Sequence, residues 1–138
     1  LRAARVGEAK VFILALDDPE HSVRVARTVR RLYPDIKIIA RARNRQHAFK
    51  LMDLGIDDSV RETFYSGLIM SQCMLEQIGY AEADAAERIE RFRVFDEQLL
   101  REQHLVYDDE SALMQSAAQA RKDLEGLFEA GSSSFGER

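Results

Sequence analysis

Tryptophan is absent from this chain, cysteine occurs once (Cys73), and proline occurs twice (Pro19 and Pro34) in 138 residues. A single thiol cannot close an intrachain disulfide, so stability must come from packing, and such usage suits a reducing compartment. No run approaches the roughly 18 apolar residues that a membrane-spanning helix needs. Lysine is scarce too: four of the twenty basic residues are Lys and sixteen are Arg. The formal net charge is −4, so bulk electrostatics favours neither nucleic acid nor an anionic membrane as partner. No P-loop, nucleophile elbow or glycine-rich dinucleotide fingerprint occurs. The three histidines (His21, His47, His104) lack metal-ligand spacing and read as solvated or helix-surface residues. Cys73 falls on an apolar helix and reads as a buried, inert thiol.

What is present is an alternation of element types in a soluble-type composition, 46% apolar and 32% charged. Residues 11–16, VFILAL, form an unbroken apolar run, which predicts a strand covered on both faces. Asp17-Asp18-Pro19-Glu20 then stops the strand and opens a helix, with an acidic N-cap, Pro in the first turn and Glu at the positive end of the dipole. Along that helix Val23, Ala26, Val29 and Leu32 are expected to face the sheet, with Arg24, Arg27 and Arg31 opposite. Residues 36–40 give a second strand, 45–54 a short helix stopped by Gly55, and 56–60 a weak third strand. Strands joined by helical crossovers imply parallel pairing. The predicted fold class is α/β, about half of a doubly wound, Rossmann-like sheet followed by long helices.

From residue 62 the chain is mostly helical. Residues 62–79 carry Phe64, Leu68, Cys73, Met74, Leu75 and Ile78, an apolar surface too broad for one stripe. Residues 83–105 form a long helix with Arg88, Phe92, Phe95 and Leu99 on one seam, and 108–130 a third, with Ala112, Ala117, Leu124, Leu127 and Phe128 as its apolar side. Residues 1–4 read as the end of a helix, and 131–138 as a flexible tail. A parallel sheet opening at Val11 has an apolar edge, and natural proteins avoid leaving one bare, so something is expected to cover it.

Three groups rise above this background. Asp17 and Asp18 stand at the carboxyl end of the first strand, where ligands gather in open α/β sheets; each could equally serve as helix cap. Arg41 and Arg43, in ARARN, share one face at the end of the second strand, either beside an anionic ligand or paired with Asp57 or Asp58. Arg61, in RETF, stands where the third strand turns into the long helix. It either reaches toward a neighbouring subunit or belongs to a helix-start packing motif with Phe64.

In ALDDPE, YPDIKIIARARN, LGIDDSVRETF and FRVFDEQLLRE the chain resembles the cytosolic regulatory domain, of the RCK/KTN type, of the glutathione-gated potassium efflux (Kef) antiporters, over nearly all of residues 1–130. The resemblance implies residues 1–64 as the C-terminal half of an RCK/KTN domain, 65–130 as dimerisation and peripheral helices, and a homodimer through residues 62–79. It implies AMP or NAD(H) as nucleotide in the intact domain, with Asp17, Asp18, Arg41 and Arg43 near it. The family's glycine motif has no match here. Glutathione or its adducts would be the regulator, held by Arg61 and, at the position of an Asn in some relatives, by Asp96. It further implies no catalytic activity, a membrane antiporter domain in the same chain, a flavodoxin-like quinone reductase subunit, and a place on the cytoplasmic face of the bacterial inner membrane. The alternative is the terminal half of a nicotinamide-dependent oxidoreductase. A purely structural helical interaction module is a third reading.

Overall fold

A computed structural model describes residues 5–132. Strand β1 (Val11–Leu14) is followed by helix α1 (Pro19–Leu32), strand β2 (Lys37–Ala42), helix α2 (Arg45–Met52), strand β3 (Ser59–Arg61) and helices α3 (Phe64–Gln77), α4 (Glu82–His104) and α5 (Glu110–Ser132). A 3-10 turn at Val6–Glu8 precedes β1. The three strands form one parallel sheet in the order β1-β2-β3, the architecture expected from the alternation of elements. Two corrections of extent follow. β2 runs on through Arg41, and β3 begins only at Ser59, because Ile56 is spent on the core beneath α2 rather than on the sheet. Gly131 and Ser132, expected to open the tail, still belong to α5; the expected helix end at residues 1–4 lies outside the described residues.

Chain order and handedness decide which side of the sheet is covered. Strand order steps one way, and right-handed crossovers then put α1 and α2 on the same face. The core lies there: Leu14, Ile38, Val29, Phe49, Leu51 and Ile56 are buried. Buried alanines Ala26, Ala40, Ala42 and Ala48 let helix and sheet backbones approach. The other face is open. Ile13 is 72% exposed and Ile39, its register partner, 40%. Val11 and Val60 join them as exposed apolar residues. β1 is thus covered on one face, not two: its unbroken apolar run hides an alternation that becomes visible only because nothing among the described residues packs behind it.

α1 begins as its sequence predicts. Asp18 is the N-cap, its Oδ1 accepting from the Glu20 amide at 2.9 Å, and Pro19 occupies the first turn. Val23, Ala26 and Val29 are buried, but Leu32 is half exposed. Steps of three residues fall about 60° short of a full turn, so the fourth apolar position has rotated off the face. The inward position at this end is held by Arg30. Its guanidinium donates to the carbonyls of Leu54 (3.1 Å), Pro34 (2.8 Å) and Ile36 (2.9 Å), with Gly55 at 3.5 Å. One side chain therefore joins the end of α1, the entry to β2 and the loop after α2.

Gly55 ends that loop with φ +70°, its amide and that of Ile56 returning to carbonyls of α2. A Cβ there would meet nothing within 4 Å, so the cost of Gly55→Ala is conformational alone. About 1 kcal/mol lost in urea unfolding is expected; no loss would mean that the turn relaxes to negative φ.

Two compact units divide the chain, Leu1–Arg93 and Val94–Arg138. In the second, Leu100, Gln103 and Ala120 are buried, and a groove of about 250 Å³ runs between α4 and α5, lined in part by Phe95, Leu99, Ser116 and Asp123. Asp109 caps α5 through the Ala112 amide at 3.1 Å. Ala117 is exposed and Ser116 takes the inward position expected of it.

Candidate functional site

Parallel strands deliver their carboxyl ends side by side, and the register places the end of β1 against Ala40 and the residues after it. Arg41 and Arg43 follow two residues apart on one face. Their guanidinium groups turn back toward β1. Arg41 donates to the Ala15 carbonyl at 3.1 Å and forms an ion pair with the Asp17 carboxylate. Arg43 donates to the Asp17 carbonyl at a longer 3.4 Å. The structure thus brings together three of the four residues expected at the strand ends, and the partner of Arg41 is Asp17 rather than Asp57 or Asp58. The fourth, Asp18, is committed to capping α1. Of the two neighbouring carboxylates, Asp18 takes the capping role and Asp17 pairs with Arg41.

The Arg41 side chain is 36% exposed and that of Asp17 86%. An exposed ion pair of this kind contributes at most about 1 kcal/mol. A dianionic phosphate can therefore displace the Asp17 carboxylate from Arg41 without disturbing the core. The planar fork of arginine matches phosphate oxygens, and a displaced Asp17 can accept from sugar hydroxyls.

Arg61 is the last residue of β3 and is 9% exposed. Its guanidinium carbon sits 3.8 Å from the centre of the Phe64 ring, a cation–π contact. Phe64 in turn meets Phe92 at 6.3 Å and Tyr65 edge-on at 5.3 Å. In this arrangement Arg61 takes part in the helix-start packing motif. Asp96 lies half-buried on α4, in the second unit. Among the described residues no cluster of three or more His, Cys, Asp or Glu could hold a metal ion, and no helix is long and apolar enough to cross a membrane.

Two sequence expectations fail nearby. Cys73 is exposed, on a helix where only Leu68 is buried. Tyr65, Ile69, Met70, Met74 and Ile78 are exposed with it, so α3 presents an open apolar surface. His47, expected at the surface, is 2% exposed. Its Nδ1 accepts from the Arg43 amide at 3.0 Å and its Nε2 lies 3.0 Å from Ser22 Oγ. The signal that sequence offered was Asn44 three residues before it. That Asn caps α2 by accepting from the His47 amide at 2.9 Å, which places His47 where a capping-box side chain turns back.

Comparisons with known proteins converge on one group. Residues 66–135 match the family described as potassium efflux system KefB C-terminal domain, and residues 1–62 the TrkA-N domain. The glutathione-regulated potassium-efflux system protein KefC of Cronobacter sakazakii is 35% identical over 112 residues, covering 81% of this chain and 18% of that protein. KefC of Escherichia coli O139:H28 matches with the same figures. The chain therefore spans under a fifth of the length of these curated relatives. Among solved structures, a Shewanella denitrificans Kef CTD in AMP-bound form superposes with a TM-score of 0.74 at 29% identity, covering 77% of this chain and 67% of that one. The alternative of a nicotinamide-dependent oxidoreductase is not favoured by these matches.

Proposed function

The chain belongs to the family of potassium efflux system KefB C-terminal domains, and from that premise we propose that it is the ligand-sensing regulatory domain of a glutathione-regulated potassium efflux antiporter. The observation that carries this reading is the convergence of Arg41 and Arg43 on Asp17 at the carboxyl ends of β1 and β2. It stands in a fold similar to a Kef domain solved with AMP. In this reading a nucleotide phosphate exchanges with Asp17 at Arg41, and the domain acts as a switch rather than a catalyst. A ligand that binds one subunit arrangement better than another shifts the population between them.

The remaining parts of the proposal follow the same logic. Two copies pair through α3, whose exposed Ile69, Met70, Met74 and Ile78 have no covering among the described residues. Glutathione or an adduct binds with Arg61 and Asp96 as contacts, and the antiporter domain belongs to the same chain at the cytoplasmic face of the membrane. A flavodoxin-like quinone reductase is a further proposed partner. The outer edge of β1, with no strand paired beside it among the described residues, supports the other half of the fold packing there.

Calorimetry with AMP tests the site, using the protein expressed from its complete reading frame. Arg41→Ala is expected to raise Kd at least about tenfold, the equivalent of ~1.4 kcal/mol, with thermal stability nearly unchanged because the lost ion pair is exposed. Equal affinity in the variant would sink the assignment. NAD(H) run beside AMP reports which nucleotide the site prefers.

A further inference from the structure

The strand-end arginines just described adjoin a buried ring that the proposed function does not use. Asn44 and His47 form a variant of the capping box, with imidazole in the place usually taken by Glu or Gln. Asn44 Oδ1 accepts from the His47 amide at 2.9 Å, and His47 Nδ1 accepts from the Arg43 amide at 3.0 Å. Because Nδ1 accepts, the ring proton belongs on Nε2, where it is donated to Ser22 Oγ at 3.0 Å. Ser22 lies on α1 and is fully buried. A single neutral tautomer therefore suspends the backbone of Arg43 from the neighbouring helix. We propose that His47 is a positioning residue for the strand-end arginine cluster, holding the Arg43 backbone in place only while the ring is neutral, so that binding of a phosphate-bearing ligand weakens as pH falls. The proposal rests on the phosphate site at Arg41 and Arg43 proposed above.

The chemistry distinguishes His47 from the usual capping-box residue. A protonated imidazole carries N–H on both nitrogens and accepts at neither. Its Nδ1–H would confront the Arg43 N–H, donor against donor, in a part-buried place. Arg43 would lose its backbone anchor, and its fork already holds Asp17 only at 3.4 Å. The groups that bear on the ring are few. α1 meets it with the uncharged Ser22 hydroxyl, the end of β2 with the Arg43 amide of a cationic residue, and its own helix with Lys50. Burial, and then the charge of Lys50, lower the His47 pKa below its ordinary 6.5. The unfolded chain titrates at that ordinary value, so the neutral, anchored form is intact above pH ~6.5 and is lost as pH falls through the lower folded value.

The test is AMP binding by calorimetry from pH 8 to pH 5.5 on the protein from its complete reading frame, with His47→Gln and His47→Ala beside wild type. AMP itself takes up a proton near pH ~6, and glutamine, which caps but does not titrate, subtracts that contribution. His47→Gln is expected to restore most of the pH 8 affinity, and wild type to fall progressively below it as pH drops through the lowered His47 value, by less than about tenfold at pH 5.5. His47→Ala is expected to bind at least about tenfold more weakly at every pH. Parallel pH profiles for wild type and His47→Gln overturn the proposal. A parallel readout in ligand-free protein is the ¹⁵N spectrum of the ring and of the Arg43 amide. An Arg43 amide that follows the ring titration supports the anchor, and one that ignores it overturns the anchor even if His47→Ala fails to fold. Failure of wild type to bind AMP at any pH overturns the phosphate site, leaving the amide titration to decide the role of His47.

Discussion

Arg30→Ala is expected to remove about 3 kcal/mol of folding stability. The guanidinium makes three well-formed hydrogen bonds, to the carbonyls of Leu54, Pro34 and Ile36, besides the longer one to Gly55. Each such bond contributes about 1 kcal/mol net, and a carbonyl left without a donor in a partly buried place costs at least as much. Alanine offers no substitute. Lysine reaches one or two of the carbonyls but cannot span them, because its donors radiate from one atom instead of a planar fork. Arg30→Lys is therefore expected to recover less than half of the loss. Urea unfolding reads the effect as a lower midpoint at unchanged slope. A loss under ~0.5 kcal/mol would mean that water serves these carbonyls equally well.

For the pairing proposed through α3, Ile69→Asp is expected to raise the dissociation constant at least about 100-fold, which corresponds to ~2.7 kcal/mol. Ile69 is 67% exposed and Met70 73%, so an apolar surface on α3 stands free in the single chain. Exposed apolar surface of this kind is what the pairing proposed through α3 would bury. A carboxylate placed at its centre must be desolvated on pairing and has no basic residue on α3 to meet it. Within the single chain the same change faces solvent, so thermal stability should move by no more than about 0.5 kcal/mol. Sedimentation velocity on wild type and variant separates the two effects. Wild type that stays monomeric at high concentration would overturn pairing through α3.

The course of the chain through the sheet was legible in the sequence because its determinants are local. Asp18-Pro19 announces α1, Gly55 ends the turn after α2, and two-residue spacing puts Arg41 and Arg43 on one face. What escaped depends on partners distant in sequence. Ser22 stands 25 residues from His47, so the Asn44 cap in NRQHAF hints at where the ring turns but not at the buried partner that holds it. Arg30 is one of a run of helix arginines, and its partners are backbone carbonyls, which have no side-chain signature. Burial of Cys73 was inferred from apolar neighbours along the helix, but those neighbours are themselves uncovered. The one-sided cover of β1 was hidden for a related reason. Apolar residues on both faces specify what the strand can bury, whereas strand order decides which face the described chain covers.

Arg30 gathers its carbonyls where the strands begin, and Arg41 with Arg43 meets Asp17 where they end. The two arginine clusters share no partner, and effects at sites without shared partners add. Substitutions at the strand ends can consequently alter the proposed anion site without eroding the clamp at the opposite pole.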